Sequence, residues 1–242
     1  MTEVAERLSE ARRAGRAAAL VAADIPATQS AAYGQSLAQM QEIAAWKIGG
    51  ANPWSRRVFN NSEVFVGPLH PREVALGGDS LSLAGLNRPL AEPEVMLQIA
   101  DPAATTPAGQ FSHMALGFEI PAAVLPEELK PLLNAQICDR AGAGLLWITA
   151  VERFEAARFA APFDITLRHN DDASAAGGSA NIIGGPLGAA AELLALASRH
   201  GLPLLPGQWI ASGGLCPAVA VAAGDRLELA AWDQVISLRF DG

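Results

Sequence analysis

The sequence predicts an α+β fold, because helical patterns occupy the first fifth of the chain and strand patterns dominate the remainder. Short apolar runs bounded by Gly and Pro follow one another after residue 45. They lack the regular alternation of strand and helix that builds a parallel doubly wound sheet. We therefore divide the chain into an N-terminal helical segment, residues 1–45, and a β-rich segment, residues 46–242. We expect the two segments to form one continuous structural unit.

Apolar residues at helical spacing predict two helices before the first strand. The first helix is capped by Thr2, and the second follows a cap at Thr28 or Ser30. The apolar stripe of the second helix runs from Tyr33 to Met40 and beyond. A later helix is predicted over 186–201, because proline is favoured at the first turn of a helix and glycine just past its end.

Strands are predicted where apolar residues alternate or form short uninterrupted runs. These stretches are 46–50, 92–99, 114–119, 145–151, 163–169, 208–212, 226–231 and 235–240. Turn residues dominate 60–89 and 170–178, which we expect to be loops. The first of these loops is long enough to cross the mouth of a pocket.

Composition argues against several classes of function. The chain has 242 residues, 50% hydrophobic and 17% charged, with a formal net charge of −8. We expect no nucleic-acid partner, because such proteins present a basic face. We expect no membrane partner either, since no run approaches the roughly 18 apolar residues of a membrane span. Cys138 and Cys216 form no metal-ligand spacing, and a reducing cytoplasm fits this usage.

Glu92 and Glu94 form the most informative pattern, together with Glu119 at the end of a later apolar segment. On a strand, Glu92 and Glu94 point to the same side, because side chains alternate with period two. Three clustered carboxylates repel one another and resist burial unless a divalent cation neutralises them. Oxygen ligands suit a hard ion such as Mg²⁺ or Mn²⁺. Spacing alone also fits three glutamates that face water at strand ends.

Several motifs follow one another along nearly the whole chain. They are Ala32-Tyr33-Gly34-Gln35, Lys47-Ile48-Gly49, Glu92-Pro93-Glu94, Gly117-Phe118-Glu119-Ile120, Leu205-Pro206-Gly207-Gln208, Ser212-Gly213-Gly214-Leu215 and Ser237-Leu238-Arg239-Phe240. In this order and at these spacings, the chain resembles the 2-keto-4-pentenoate hydratase and 4-oxalocrotonate decarboxylase family, within the fumarylacetoacetate hydrolase superfamily.

The resemblance implies a mixed β-roll, with the N-terminal helices packed on it. It implies that Glu92, Glu94 and Glu119 hold Mg²⁺ or Mn²⁺, and that the substrate is a 2-keto or 2-hydroxydienoic acid from aromatic-ring breakdown. Lys47 would be catalytic beside the chelated end of the substrate, and Gly49 would contact the substrate. The resemblance also implies a homo-oligomer or a complex with a related lyase.

The chain departs from the family pattern where the family activates water. Phe65-Val66-Gly67 stands where an Asp-Tyr-Gly segment is expected. In the segment that resembles Ala-Asp-Asn-x-Ser, Asp139 is kept and is a candidate catalytic residue, but Arg140 replaces the asparagine. Arg140 offers a planar donor fork for a second substrate carboxylate, or for an acid nearby such as Asp139. His113 is a candidate substrate-binding residue, and His113 and His70 are candidate replacement acid/bases, because both lie close to motif segments.

The sequence leaves four functions open. The first is a hydratase, which we place ahead of the second, a 4-oxalocrotonate-type decarboxylase. The third is a C–C bond hydrolase for an acylpyruvate. The fourth is a non-catalytic partner subunit that keeps the fold, although three clustered carboxylates with Lys47 argue against it. Hydration, decarboxylation and C–C bond hydrolysis are all compatible with a metal-bound 2-keto acid, because a Lewis acid stabilises its enolate.

Overall fold

A computed structural model describes residues 3–172 and 174–242, so the Thr2 cap predicted for the first helix lies outside the described residues. The helices are α1 Glu3–Arg13, α2 Gln29–Leu37, α3 Pro53–Phe59, α4 Pro107–Gln110, α5 Leu133–Cys138 and α6 Gly185–His200. The strands are β1 Ala45–Gly49, β2 Phe65–Leu69, β3 Val74–Leu76, β4 Ser80–Ser82, β5 Leu90–Ile99, β6 Phe111–Ile120, β7 Leu145–Arg153, β8 Asp164–His169, β9 Ala175–Gly178, β10 Trp209–Ala211, β11 Val219–Ala220, β12 Arg226–Ala231 and β13 Gln234–Asp241. The α+β prediction is confirmed.

The strands form two sheets. The larger sheet has the order β2-β1-β10-β5-β6-β7-β3. β11 pairs with the first two residues of β5. Its pairs are antiparallel, except β1 with β10 and β3 with β7. The smaller sheet has the order β4-β13-β12-β8-β9. β5 and β6 have ten residues each and pair along most of their length near the centre of the larger sheet.

The two faces of the larger sheet have different contents, as the period-two alternation requires. One face carries large apolar side chains, among them Trp46, Phe118 and Trp147, and belongs to the main core. The opposite face carries a smaller buried cluster that includes Met96, Ala115, Ala211 and Leu146. By strand parity, the three glutamates share this second face with Met96 and Ala115.

The helices differ from the predictions at their ends. Thr28 is the N-cap of α2, since its hydroxyl accepts a hydrogen bond from the Ala31 N–H at 3.3 Å. The helix ends at Leu37, three residues before Met40, and the Gln39 side chain instead donates to the Cys138 carbonyl at 2.7 Å. α3 was not predicted, because it has no apolar stripe and none of its residues is buried.

The two predicted loops contain strands. Residues 60–89 include β2, β3 and β4, and residues 170–178 include β9. β3 and β4 have three residues each, and β9 carries only Ala and Gly, so none shows a strand pattern in sequence. These strands lie at sheet edges, where short length limits unwanted pairing.

The helical stretch Ser179–His200 is long and apolar enough, by length and composition, to cross a membrane. A core helix passes the same test, and here Leu193 and Leu196 are fully buried in the main core. We interpret α6 as a core helix, and the expectation of no membrane partner stays a prediction.

Candidate metal centre

Glu92, Glu94 and Glu119 form a carboxylate cluster on the face of the larger sheet that carries Met96 and Ala115, opposite the main core. Glu92 on β5 is directly opposite Glu119 on β6, and Glu94 is opposite Gly117. One carboxylate oxygen from each residue lies within 4.8 Å of the others. Glu94 and Glu119 are fully buried, at 0% and 1% exposure, whereas Glu92 keeps a partly exposed edge. The register of two long strands therefore brings three acids to one point.

Lys47 extends into this cluster from β1. Its Nζ lies 2.7 Å from Oε1 of Glu119, and it donates a hydrogen bond to the Ala141 carbonyl at 2.8 Å. Lys47 is 6% exposed, so its charge is almost fully desolvated. Gly67 is its neighbour on β2, and a Cβ there would lie 1.7 Å from the Arg140 carbonyl oxygen. Glycine at this position allows the segment that carries Ala141 to approach Lys47.

Gly213 and Gly214 complete the cluster, and the sequence predicted no role for them in it. The Gly213 N–H donates to Oε2 of Glu94 at 2.7 Å, from a backbone φ of +109° that favours glycine. A Cβ on Gly214 would lie 2.7 Å from Oε2 of Glu92. The Ser-Gly-Gly segment therefore holds one carboxylate with its backbone and leaves room for another. The segment directly follows the predicted strand 208–212, and this position at a strand end is the sequence feature that could have indicated a role in the site.

Burial and mutual repulsion shift the acid–base equilibria of the cluster. Burial, with the charge of Glu119, raises the pKa of Glu92 to about 7. The pKa of Glu94 is raised well above its usual value by burial and by Glu119 and Glu92, although the Gly213 N–H and Lys47 oppose the shift. Burial alone would lower the pKa of Lys47, but the nearby carboxylates, led by Glu119, raise it. Lys47 is therefore an ammonium at neutral pH.

The cluster has the charge and the free ligand atoms of a divalent cation site. When all three carboxylates are ionised, as a bound cation requires, they and the Lys47 ammonium carry two surplus negative charges. Within residues 3–172 and 174–242, Oε1 of Glu94 and Oε2 of Glu119 are buried without a hydrogen-bond partner, and Oε1 of Glu119 has only the Lys47 ammonium, at 2.7 Å. Buried acceptors without donors are unfavourable. A hard divalent ion would satisfy both the charge and the oxygens.

Asp139 does not contribute to this cluster. One of its carboxylate oxygens accepts from the Arg12 guanidinium at 2.5 Å, and the other accepts from the Val124 N–H at 2.9 Å. Its exposure is 0%, and burial raises its pKa despite Arg12. Both oxygens are engaged, one by Arg12 of α1 and the other by the Val124 N–H after β6, so Asp139 has a structural role here, and the catalytic role expected from the sequence stays a prediction.

Arg140 pairs with Glu73, not with Asp139. Its two terminal nitrogens bind the two oxygens of Glu73 at 2.7 and 2.9 Å, and the side chain is buried. The donor fork predicted for a substrate carboxylate is therefore occupied by the protein itself. The sequence could not reveal Glu73 as the partner, because it is 67 residues away in the chain.

His113 lies away from the carboxylates, and the close contact of Gly49 is with Phe65. His113 lies six residues before Glu119 on β6, which is roughly 20 Å along a strand. Its Nδ1 lies 2.9 Å from the Gln98 side-chain oxygen. A Cβ on Gly49 would lie 2.4 Å from the ring of Phe65, so Gly49 makes room for that ring. The predicted substrate contacts of His113 and Gly49 find no support in this geometry.

One large cavity lies away from the carboxylates, none of which is in its wall. It has a volume of about 820 Å³ and is mainly apolar, with Leu37, Met40, Ile43, Leu76, Leu205 and Trp209 in its wall. His70 lines a different cavity, together with Arg140 and Glu73. We base the candidate site on the carboxylates, because cavity size without chemistry does not identify a reaction.

Solved structures with the same fold include enzymes. The chain is similar to 4-oxalocrotonate decarboxylase from Pseudomonas putida G7, complexed with magnesium and adipate, with a TM-score of 0.85 at 19% identity. That match covers 98% of this chain and 95% of that one. No family model matches the sequence, and no curated protein matches it. The fold is therefore shown by structure and not by sequence identity.

Two further structures place the fold in a wider group. Fumarylpyruvate hydrolase from Pseudomonas aeruginosa, in complex with Mn²⁺ and pyruvate, matches with a TM-score of 0.60 at 16% identity, over 81% of this chain and 88% of that one. A fumarylacetoacetate hydrolase family protein from yeast matches with a TM-score of 0.58 at 14% identity, over 82% and 94%. The chain thus has the fold of fumarylacetoacetate hydrolase superfamily structures, which confirms the fold implied by the resemblance.

Proposed function

We propose that this protein is a divalent-metal-dependent lyase that acts on a 2-keto or 2-hydroxydienoic acid. The observation that carries the proposal is the buried carboxylate cluster, whose surplus of two negative charges and unpartnered oxygens fit Mg²⁺ or Mn²⁺. The cation would supply a Lewis acid for the 2-oxo and 1-carboxylate oxygens of the substrate. The metal-bound decarboxylase and hydrolase with the same fold support this assignment.

Lys47 is the candidate proton carrier. It is a buried ammonium held between Glu119 and the Ala141 carbonyl, so its Nζ is fixed in position. A fixed ammonium can stabilise the negative charge of an enolate and can give a proton to carbon. Its neighbour Glu119 keeps it charged until that transfer, because the carboxylate favours the protonated form.

The local structure favours loss of CO₂ over addition of water. Phe65 stands where the resemblance predicts an acid, and its ring packs edge-on against Phe59 at 5.0 Å between ring centres. Phe65 is 3% exposed and cannot activate water. Decarboxylation needs no activated water, only stabilisation of the enolate and a proton donor. We therefore propose decarboxylation as the first candidate and hydration as the second, which reverses the order favoured by the sequence.

A metal-dependent ultraviolet assay tests this proposal. Chelator-treated protein is mixed with 2-hydroxymuconate, and separately with 2-hydroxypenta-2,4-dienoate, with and without Mg²⁺ or Mn²⁺. Decarboxylation predicts metal-dependent loss of the dicarboxylate with release of CO₂. Consumption of 2-hydroxypenta-2,4-dienoate with formation of a hydroxylated keto acid would support hydration instead. Acylpyruvate cleavage is the corresponding test of the hydrolase alternative.

Matched variants make the assay specific. Glu94→Gln removes one ligand at nearly constant volume and should abolish turnover, whereas Glu128→Gln, on an exposed surface, should leave it unchanged. Metal binding that Glu94→Gln abolishes, without turnover of any of these substrates, would contradict the lyase proposal. That outcome would favour a non-catalytic partner of a related lyase.

We further propose that the protein is a cytoplasmic homo-oligomer. Leu76 and Leu205 flank the large apolar cavity and are 65% and 57% exposed, a pattern that favours a protein interface. Both cysteines are free and buried, as in a reducing compartment. Light scattering after gel filtration tests the first statement, and a monomer at micromolar concentration would contradict it.

A further inference from the structure

A second, smaller cavity concentrates positive charge on an otherwise acidic protein. It has a volume of about 280 Å³, and its wall includes the side chains of Arg12, Arg13, Arg72, Arg140 and Glu73. Arg12 and Arg13 lie on α1. Arg72 and Glu73 follow β2, and Arg140 follows α5. Three separate parts of the chain therefore bring guanidinium groups to one place.

The charges of this cavity do not balance within the protein. Arg12 is paired with Asp139 and Arg140 with Glu73. Among the residues that the structure describes, Arg13 and Arg72 have no carboxylate within ion-pair distance. Four guanidinium groups thus face two carboxylates, which leaves a surplus of two positive charges in a chain whose formal net charge is −8.

The buried arginines also have donors without acceptors. Over residues 3–172 and 174–242, Nε of Arg12 and Nε of Arg140 are buried and have no hydrogen-bond partner. Arg140 is 2% exposed, so bulk water does not satisfy it. The proximity of Arg140 and the loss of hydration lower the pKa of Arg12 to about 10, with burial as the larger cause. Each of these guanidinium groups has one carboxylate partner, but its Nε–H remains without an acceptor, which is unfavourable at a buried position.

We propose that this cavity binds a small dianion, of which a short dicarboxylate is the best match. The surplus of two positive charges sets the charge of the ligand, and the volume limits it to a small molecule. Arg12 and Arg140 each already bind a carboxylate, and the planar guanidinium group is well suited to bind carboxylates. The exposed Arg13 and Arg72 form the entrance, and Arg12 and Arg140 form the floor. The site uses none of the three clustered glutamates and stands independently of the proposed lyase activity.

Calorimetric titration of the full-length protein with succinate, and separately with inorganic phosphate, tests the proposal. Each titration is run with Mg²⁺ and in parallel with chelator, so that binding through a metal at the carboxylate cluster is recognised. We expect one succinate per chain under both conditions. Arg13→Gln and Arg72→Gln should each weaken binding about three- to tenfold, because each removes one charged donor.

Two further variants control for misfolding and for non-specific binding. Glu73→Gln should tighten succinate binding, since it removes a negative charge from the wall and releases the fork of Arg140. A gain in affinity cannot result from unfolding. Arg168→Gln removes an exposed arginine that does not line the cavity and should change nothing.

Three results would overturn the proposed site, and a fourth would overturn its assignment to a dicarboxylate. The first is no binding of either probe in the millimolar range, and the second is equal weakening by Arg168→Gln. The third is binding that requires Mg²⁺, which would place the anion at the carboxylate cluster. Binding of phosphate without succinate would overturn the assignment to a dicarboxylate. Turnover enters none of these readouts, so failure here and failure of the lyase proposal are distinguishable.

Discussion

Replacing Glu92 with glutamine should stabilise the metal-free protein at pH 8, although the change removes a metal ligand. Glu92 has a folded pKa of about 7 against an ordinary value of 4.5, because burial and Glu119 disfavour its charge. A carboxyl whose pKa is raised on folding destabilises the protein as the pH rises from the unfolded value through the folded one. Above pH 7 the full penalty is present, and glutamine removes it.

The expected gain in the free energy of unfolding follows from the pKa shift of Glu92. At about 1.4 kcal/mol for each pKa unit, the shift corresponds to about 3 kcal/mol. Glu92 keeps an exposed edge, which reduces the expected gain to about 2 kcal/mol. For a chain of this length, that gain raises the melting temperature by roughly 4–8 °C. The gain should shrink toward pH 5, where the wild-type carboxyl is largely protonated.

Thermal unfolding followed by circular dichroism provides the assay, in chelator and in Mg²⁺, at pH 8 and pH 5. Mg²⁺ should stabilise the wild type and leave Glu92→Gln unchanged, because ligands that bind only the folded state stabilise it. Glu128→Gln, at an exposed position, serves as the control. A lower melting temperature for Glu92→Gln in chelator at pH 8, or equal stabilisation of both proteins by Mg²⁺, would refute the reasoning.

Three further predictions concern the same centre. Lys47→Met should retain Mn²⁺ binding but lower kcat by about 10²–10⁴-fold, because the fixed ammonium is removed; unchanged kcat would exclude Lys47 as the proton carrier. Gly214→Ala should weaken Mn²⁺ binding in calorimetry, since its Cβ would lie 2.7 Å from Oε2 of Glu92, whereas Gly34→Ala has open space and should have no effect. Equal affinities for these two variants would contradict the close approach. Finally, Mn²⁺ affinity should fall at least about tenfold from pH 8 to pH 6, because protons compete for the raised-pKa carboxyls of Glu92 and Glu94, and a flat pH profile would contradict this.

Strand periodicity and the family motifs together predicted the centre of the site. The Glu92-Pro93-Glu94 spacing places two carboxylates on one side of β5, and the structure pairs Glu92 with Glu119. This worked because both strands are long and apolar, so their register follows from burying one set of side chains. Sequence motifs added Lys47, whose side chain reaches the carboxylates from another strand.

Long-range partners could not be predicted in the same way. Asp139 pairs with Arg12 and Arg140 with Glu73, and these contacts depend on how helices and edge strands pack. A charged residue in a motif has no local signal that distinguishes a structural ion pair from a substrate contact. The short edge strands escaped prediction for a related reason, since three residues are too few to show a period.

Water-proton relaxation with Mn²⁺ tests the central claim most directly. We predict that the wild type binds one Mn²⁺ per chain through the carboxylate cluster, and that Glu94→Gln abolishes this binding. Pyruvate, a minimal 2-keto acid, should then lower the relaxation enhancement by replacing water on the ion. No bound Mn²⁺, or binding that Glu94→Gln leaves intact, would contradict the account.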